Sequence, residues 1–232
     1  MDDKTKTETK RQHFVPRVYL NNFAYKKNDD FYVNVLPKSQ SIGSLFESNT
    51  KNICSENHLY TLSEDVESRQ LLENIYSNVF ENEYADLFDI LTNDNITEVT
   101  IEKKKSIVSA IITMFYRTAK WLNEINSFNE ESLNKVYQTC KQFNVDYYTD
   151  SNGNKISIKG KSIQELKQIK KEATRIPVVL TQLKTALRLI ELKQSDNINV
   201  FKIKGNNEFI TSDNPVFALN INKLRTIPFD AD

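Results

Sequence analysis

Over residues 66–91, apolar side chains stand at Leu72, Ile75, Val79, Phe80, Tyr84, Leu87, Phe88 and Leu91. Gaps of three and four keep them on one stripe of an α-helix, whereas a half-buried strand needs strict alternation. The spacing predicts one long amphipathic helix with its acids mainly on the opposite side. Asn93-Asp94-Asn95 breaks it, and Thr100 offers a partial N-cap to a second helix over residues 101–127, with Lys103 where a capping box would carry an acid. A shorter helix is expected over residues 130–144. Ser162 and Glu165 form a capping box that opens another long helix to about residue 193, interrupted near Ile176-Pro177 because proline disfavours helical geometry in the residue before it.

Strand signals are fewer and shorter. F-Y-V-N-V-L at residues 31–36, between Asn28-Asp29-Asp30 and Pro37, reads as a strand that follows the apolar segment 15–24, and residues 38–58 read as irregular. Tyr147-Tyr148-Thr149 and residues 155–158 flank Asn152-Gly153 as a small hairpin, with Asn-Gly supplying positive φ. Residues 197–202 and 208–211 suggest a terminal hairpin. The fold class expected is α+β and helix-dominated, with long amphipathic helices packed on a small sheet built from the N-terminal strand and the C-terminal hairpin. Residues 1–11, charged and without an apolar residue after Met1, are expected to be a disordered tail, and residues 12–232 a single domain.

Composition narrows the function classes. Cys54 and Cys140 stand far apart with no C-x-x-C spacing, which argues against a disulfide framework or a structural zinc site and fits a cytoplasmic protein. The longest apolar stretch, residues 107–116, is far short of the ~20 residues of a membrane helix, so no membrane partner is expected. The 31 basic and 31 acidic side chains cancel only as a sum of patches. Residues 61–100 carry ten acids against Arg69 alone, and residues 161–200 carry eight bases against four acids. The basic run, with Lys167, Lys170, Lys171, Arg175, Lys184 and Arg188, reads either as a solvated helix face or as a surface for a phosphate-rich partner. Without interleaved aromatics it is a weak signal for nucleic acid.

No phosphate loop, H-E-x-x-H or G-x-S-x-G motif is present, and only two His occur, so candidate chemistry is concentrated in few residues. His13 and Arg17 sit in Q-H-F-V-P-R-V-Y-L at residues 12–20, where Pro16 restricts Val15 to extended geometry and holds the two side chains in a defined relation. His13 can serve as base or metal ligand and Arg17 as an anion fork, or both can cap backbone carbonyls. His58 reads as a loop residue. Arg117 falls in a second apolar stripe with Ala110 and Met114, as a buried anion binder or as a cation stacked on Trp121 one turn on. Glu81 follows Val79-Phe80 and can meet Arg117 or His13 across the packing. F-I-T-S-D-N-P-V at residues 209–216 ends an expected strand in Ser212, Asp213 and Asn214, either as site residues at a strand end or as an Asx turn.

These two segments, Q-H-F-V-P-R-V-Y-L-N-N-F at residues 12–23 and F-I-T-S-D-N-P-V at residues 209–216, resemble the opening and closing signatures of the domain-of-unknown-function 4238 family. The resemblance spans most of residues 12–216 and implies recurring positions at His13, Pro16, Arg17, Glu81, Arg117, Asp213 and Pro215. It implies a bacterial, largely intracellular protein with no established reaction. Such domains usually continue past the S-D-N-P turn with further strand, so the resemblance also implies a truncated C-terminus.

Two functions follow. One is a hydrolase for a phosphodiester or nucleotide, in which His13, Glu81 and Asp213 are catalytic, Arg17, Arg117, Ser212 and Asn214 hold the substrate, and a divalent metal bound through His13 and Asp213 is an option; nucleic acid or nucleotide would be the partner, and a defence or toxin effector the biology. The other is a non-catalytic binding or assembly domain in which the same residues form a structural polar network, with a protein partner equally open.

Overall fold

The structure, a computed structural model, describes residues 8–38, 42–64, 66–201 and 209–217. It is a helix-dominated α+β fold with three small antiparallel sheets among the described residues, and the chain divides into two units. Unit 1 comprises Met1–Thr118 and Leu183–Asp232; unit 2 is Ala119–Gln182.

Unit 1 opens with strand β1 (Arg11–His13) and a short helix α1 (Arg17–Leu20). Strands β2 (Tyr25–Lys27), β3 (Asp30–Val35) and β4 (Phe46–Asn49) form one meander, turned at Asn28 and Asp29 in left-handed conformation, and β5 (Ser55–Asn57) pairs with β1. Two strands thus lie in the stretch expected to be irregular: Phe46-Glu-Ser-Asn lacks an alternating apolar pattern, and cross-strand partners rather than its own composition make it extended. The chain is held ahead of residue 12 as well. Glu8 pairs with Arg69 at 2.8 Å, the Lys10 carbonyl accepts from His58 N–H, and Arg11 lies opposite Asn57.

The helix expected over residues 66–91 is three pieces: α2 (Leu71–Ile75), a π-helical turn (Tyr76–Phe80) and α3 (Tyr84–Thr92). The extra residue per turn retards the rotation of the stripe, and Val79, read as a core position, is 65% exposed. Helix α4 (Ile101–Arg117) is capped by Thr100 as expected, its hydroxyl accepting from Lys103 N–H. It stops at buried Thr118, whose ψ of 151° turns the backbone out of the helix, ten residues before the expected end. Tyr84, Leu87, Ile107, Ala110 and Met114 form the core here, and Val18, Tyr19 and Val216 pack against it. Val108, Ile112 and Ala186 form a second cluster.

Unit 2 begins with helix α5 (Ala119–Gln142), into which the remainder of the second expected helix and the shorter one merge. Strands β6 (Tyr147–Thr149) and β7 (Lys155–Ser157) make the expected hairpin, with Gly153 alone at positive φ in its turn. Helix α6 (Ile163–Lys193) starts in unit 2, and the Ser162–Glu165 capping box forms in both directions. Leu133, Cys140, Ile158 and Leu166 are the core of this unit. Among the described terminal residues, 197–201 and 209–217 contain no strand, so a C-terminal hairpin is not part of the observed sheets; its expected turn lies outside the described residues.

Pro177 stands inside α6 without ending it. A proline has no N–H for the carbonyl one turn back, yet Thr181 donates its hydroxyl to the Pro177 carbonyl at 2.8 Å and the ring is exposed. Pro177→Ala is therefore expected to raise the unfolding free energy by about 1–3 kcal/mol in urea titration. A lower stability in the alanine variant would show that the ring, not the helix around it, is what the fold uses.

Candidate functional site

The β1–α1 junction is shaped by a residue with unusual backbone geometry. Cys54 has φ 51°, which a side chain with a Cβ rarely adopts, and its carbonyl accepts from both Phe14 N–H (2.9 Å) and Val15 N–H (3.5 Å). This turn drives Phe14, Val15 and Pro16 into the interior and leaves His13 and Arg17 on either side of them. Gln12, wholly buried, donates its Nε2 to the Thr61 hydroxyl at 3.1 Å and accepts Tyr60 N–H on its Oε1 at 2.6 Å. It ties β1 to the segment that follows β5.

Arg117, at the end of α4, is 4% exposed. Its Nη1 donates to Glu81 Oε1 at 2.5 Å and its Nη2 to the His13 carbonyl at 2.6 Å. The guanidinium lies 4.4 Å from the Tyr76 ring centroid and 5.6 Å from that of Tyr60, and the Tyr60 hydroxyl donates to the Arg117 carbonyl. Burial by itself would favour losing the proton, but Tyr60 and Glu81 outweigh it and hold the guanidinium firmly charged. Arg117 Nε, buried as well, has no partner.

The π turn explains how Glu81 reaches this cation. Glu81 N–H bonds back five residues to the Tyr76 carbonyl at 3.0 Å. At 100° per residue an uninterrupted α-helix would set Glu73 and Glu81 roughly 80° apart; the slower rotation of a π turn brings them toward one face. Glu73, which sequence patterning did not single out, accordingly feels both Arg117 and Glu81. Burial raises its carboxyl pKa to about 7, Arg117 pulling it down and Glu81 pushing it up, and its Oε2 is buried without a partner. One guanidinium thus serves two carboxylates. The only sequence signal for Glu73 was its place on the apolar side of a helix beside Leu72.

His13 Nε2 lies 3.3 Å from the Thr50 carbonyl and donates to it as the Nε2–H tautomer, which leaves the Nδ1 lone pair uncommitted. Burial lowers the ring's pKa to about 4; the Thr50 carbonyl opposes this, and the positive fields of Arg17, Arg117 and Arg11 add to it. The ring is neutral near pH 7. Arg17 Nε is shut away from solvent with no partner.

The closing segment comes to this junction from the far end of the chain. The Tyr19 and Thr211 hydroxyls are 2.8 Å apart, and Val216 packs on the α3–α4 core. Asp213 is exposed; burial first and the Asp213 carboxylate second push the Cys54 thiol up to about 12, so Cys54 is no thiolate nucleophile. Ser212, rather than Asp213, closes the local turn by accepting Asn214 N–H at 3.1 Å, and Asn214 Oδ1 is buried without a partner. Arg117 is therefore joined directly to the Glu81 carboxylate and to the main-chain carbonyl of His13, whose ring meets Thr50 instead; Arg17 acts on His13 through its field, and Asp213 adjoins Cys54, while Ser212 is occupied within its own turn. Among the described residues no three His, Cys, Asp or Glu are grouped to hold a metal ion, and no helix is long and apolar enough to cross a membrane.

The family model described as protein of unknown function (DUF4238) matches residues 11–228. No curated protein and no solved structure matches the chain.

The two perturbed groups act on stability with opposite sign. The His13 pKa is depressed, so below about pH 6.5 the unfolded chain binds the proton that the folded chain refuses, and stability falls with acidification toward pH 4. The Glu73 pKa is raised, so its contribution is complete below the ordinary carboxylate pKa and is lost as pH rises through 7. Where the windows overlap, the two slopes offset each other. Melting curves between pH 4.5 and 7.5 are expected to tilt in opposite directions in His13→Asn and Glu73→Gln relative to the parent, falling with pH in the first and rising in the second. Parallel curves for all three proteins would rule this out.

Proposed function

We propose a function for a chain that belongs to the DUF4238 family of proteins of unknown function: it is a non-catalytic binding domain whose polar residues are divided between an internal brace and an anion-facing surface. The observation that carries this reading is Arg117. At 4% exposure, with Nη1 on Glu81 and Nη2 on the His13 carbonyl, its guanidinium faces inward and cannot also receive a substrate. Glu81 is likewise engaged, and His13, its pKa lowered to about 4 by burial and by the fields of Arg17, Arg117 and Arg11, is a weak base at neutral pH.

The groups this reading leaves for a partner are Arg17, whose field reaches His13, and the His13 Nδ1 edge, both on partly exposed residues. An arginine fork favours phosphate or carboxylate. A nucleotide or another phosphate-bearing molecule is the partner class this supports. Asp213 supports a second reading, a phosphodiester hydrolase, because it is an exposed carboxylate carried to the same junction as a neutral histidine with a free lone pair.

Arg117→Met leaves the partly buried Glu81 and Glu73 without their cation and is expected to cost about 3 kcal/mol in urea unfolding. Arg17→Gln should change stability by less than ~0.5 kcal/mol yet weaken retention of fluorescent nucleotides. Turnover of bis(p-nitrophenyl) phosphate with Mg²⁺ or Mn²⁺, lost in His13→Asn and Asp213→Asn variants that keep the parent melting temperature, would replace the binding reading with the hydrolase.

A further inference from the structure

The π turn that aims Glu81 at Arg117 has a second side. Its Val79 and Phe80, with Leu87 of α3, form one wall of a concavity whose other wall is Lys105, Ser106 and Ser109 of α4. The volume is about 180 Å³, against the roughly 30 Å³ that one water takes in the liquid, so a small organic molecule has room to enter. Leu87 is buried and belongs to the core that Tyr84, Ile107, Ala110 and Met114 complete, so the walls stand on packed helix rather than on loop.

The two walls differ in chemistry. Val79 is mostly in water and Phe80 partly so, which leaves an apolar surface bare. Opposite, Lys105 and Ser109 stand at i and i+4 of α4 and are neighbours on its surface. The acids nearby are already committed. Glu83, at the lip, accepts from Lys103 Nζ at 3.3 Å and from the Ser106 hydroxyl. Glu102 accepts its own N–H and the Thr100 hydroxyl, and only its field reaches Lys105. Among the described residues Lys105 makes no ion pair and the Ser109 hydroxyl no hydrogen bond.

We infer that this groove binds a small carboxylate with an apolar body, an aryl- or alkyl-alkanoate, its carboxylate bridging Lys105 Nζ and Ser109 Oγ and its body against Val79, Phe80 and Leu87. A carboxylate accepts from an ammonium and a hydroxyl at once and matches a single cation, whereas a phosphate monoester brings close to two charges. The apolar body removes from water the surface that the π turn exposes. The site shares no residue with Arg17 and His13 and does not rest on the reading given to them.

Calorimetric titration of the full chain with 3-phenylpropanoate, 3-phenylpropanol and acetate tests the groove. 3-Phenylpropanoate should bind at one site, roughly tenfold or more tighter than the alcohol, which lacks the charge, and than acetate, which lacks the body. Lys105→Met should erase the preference for the carboxylate over the alcohol. Val79→Asn should weaken both aromatic ligands alike, by roughly fivefold. Both side chains are exposed, so both variants should keep the parent melting temperature and report binding rather than folding. Arg17→Gln should change none of these titrations. Acetate binding as tightly as 3-phenylpropanoate overturns the site, as does the absence of binding by the parent, or binding unchanged in both groove variants. Loss of 3-phenylpropanoate binding in Arg17→Gln overturns it too, and would move the carboxylate to the other surface.

Discussion

A buried guanidinium is what the polar interior of unit 1 is arranged around. Removing Arg117 from water is costly, and the cost is offset only where its hydrogen bonds and its charge are both answered. Glu81 answers the charge, the His13 carbonyl takes a second N–H, and the rings of Tyr76 and Tyr60 supply electron-rich faces. The partners come from three places in the chain, so the cation fixes β1, the segment after β5 and the π turn with its cap Glu81 relative to the end of α4. Such a centre is specific rather than strongly stabilising, since a misplaced element would leave a charge unmatched.

The backbone carries a comparable constraint at Cys54. Its left-handed conformation points one carbonyl at two successive N–H groups, and that is what lets the chain pass from β1 into α1 with Val15 and Pro16 fully buried. The thiol is incidental to this role: it is held protonated by burial and by Asp213. The residue looks like a candidate nucleophile and acts as a hinge of fixed geometry.

Much of this was legible in the residues, and the part that was not has definite physical causes. The helical stripes, the Thr100 and Ser162 caps and the Gly153 turn depend on neighbours three or four residues away, which is the range that periodicity reports. The π turn and the stop at Thr118 go with the placement of Arg117 and Glu81, which periodicity does not report, so the helices expected over 66–91 and 101–127 are shorter in the structure. Strands β4 and β5 exist because partners from other parts of the chain present ladders to them. In the candidate site, His13, Glu81 and Arg117 stood out as polar residues in apolar surroundings; Arg117 meets the Glu81 carboxylate but only the main-chain carbonyl of His13, whose ring turns to Thr50. Glu73 is one of six acids over residues 66–91, with only its place beside Leu72 to mark it, and the inward use of Arg117 was invisible without its exposure.

The chain order of unit 1 has a consequence for synthesis. Tyr19 and Thr211 are in contact across 192 positions, and Val216 packs against residues that leave the ribosome more than a hundred residues earlier. Unit 2, by contrast, is one uninterrupted stretch whose hairpin and capped helix close locally. Loop-closure entropy and vectorial emergence together let the inserted unit fold first, while the unit that carries the candidate site stays open on one side until the last segment arrives. During that interval the surfaces of Tyr84, Leu87 and Ile107 that Val216 will cover are bare, and it is then, rather than in the finished protein, that the chain is most exposed to aggregation and to chaperones.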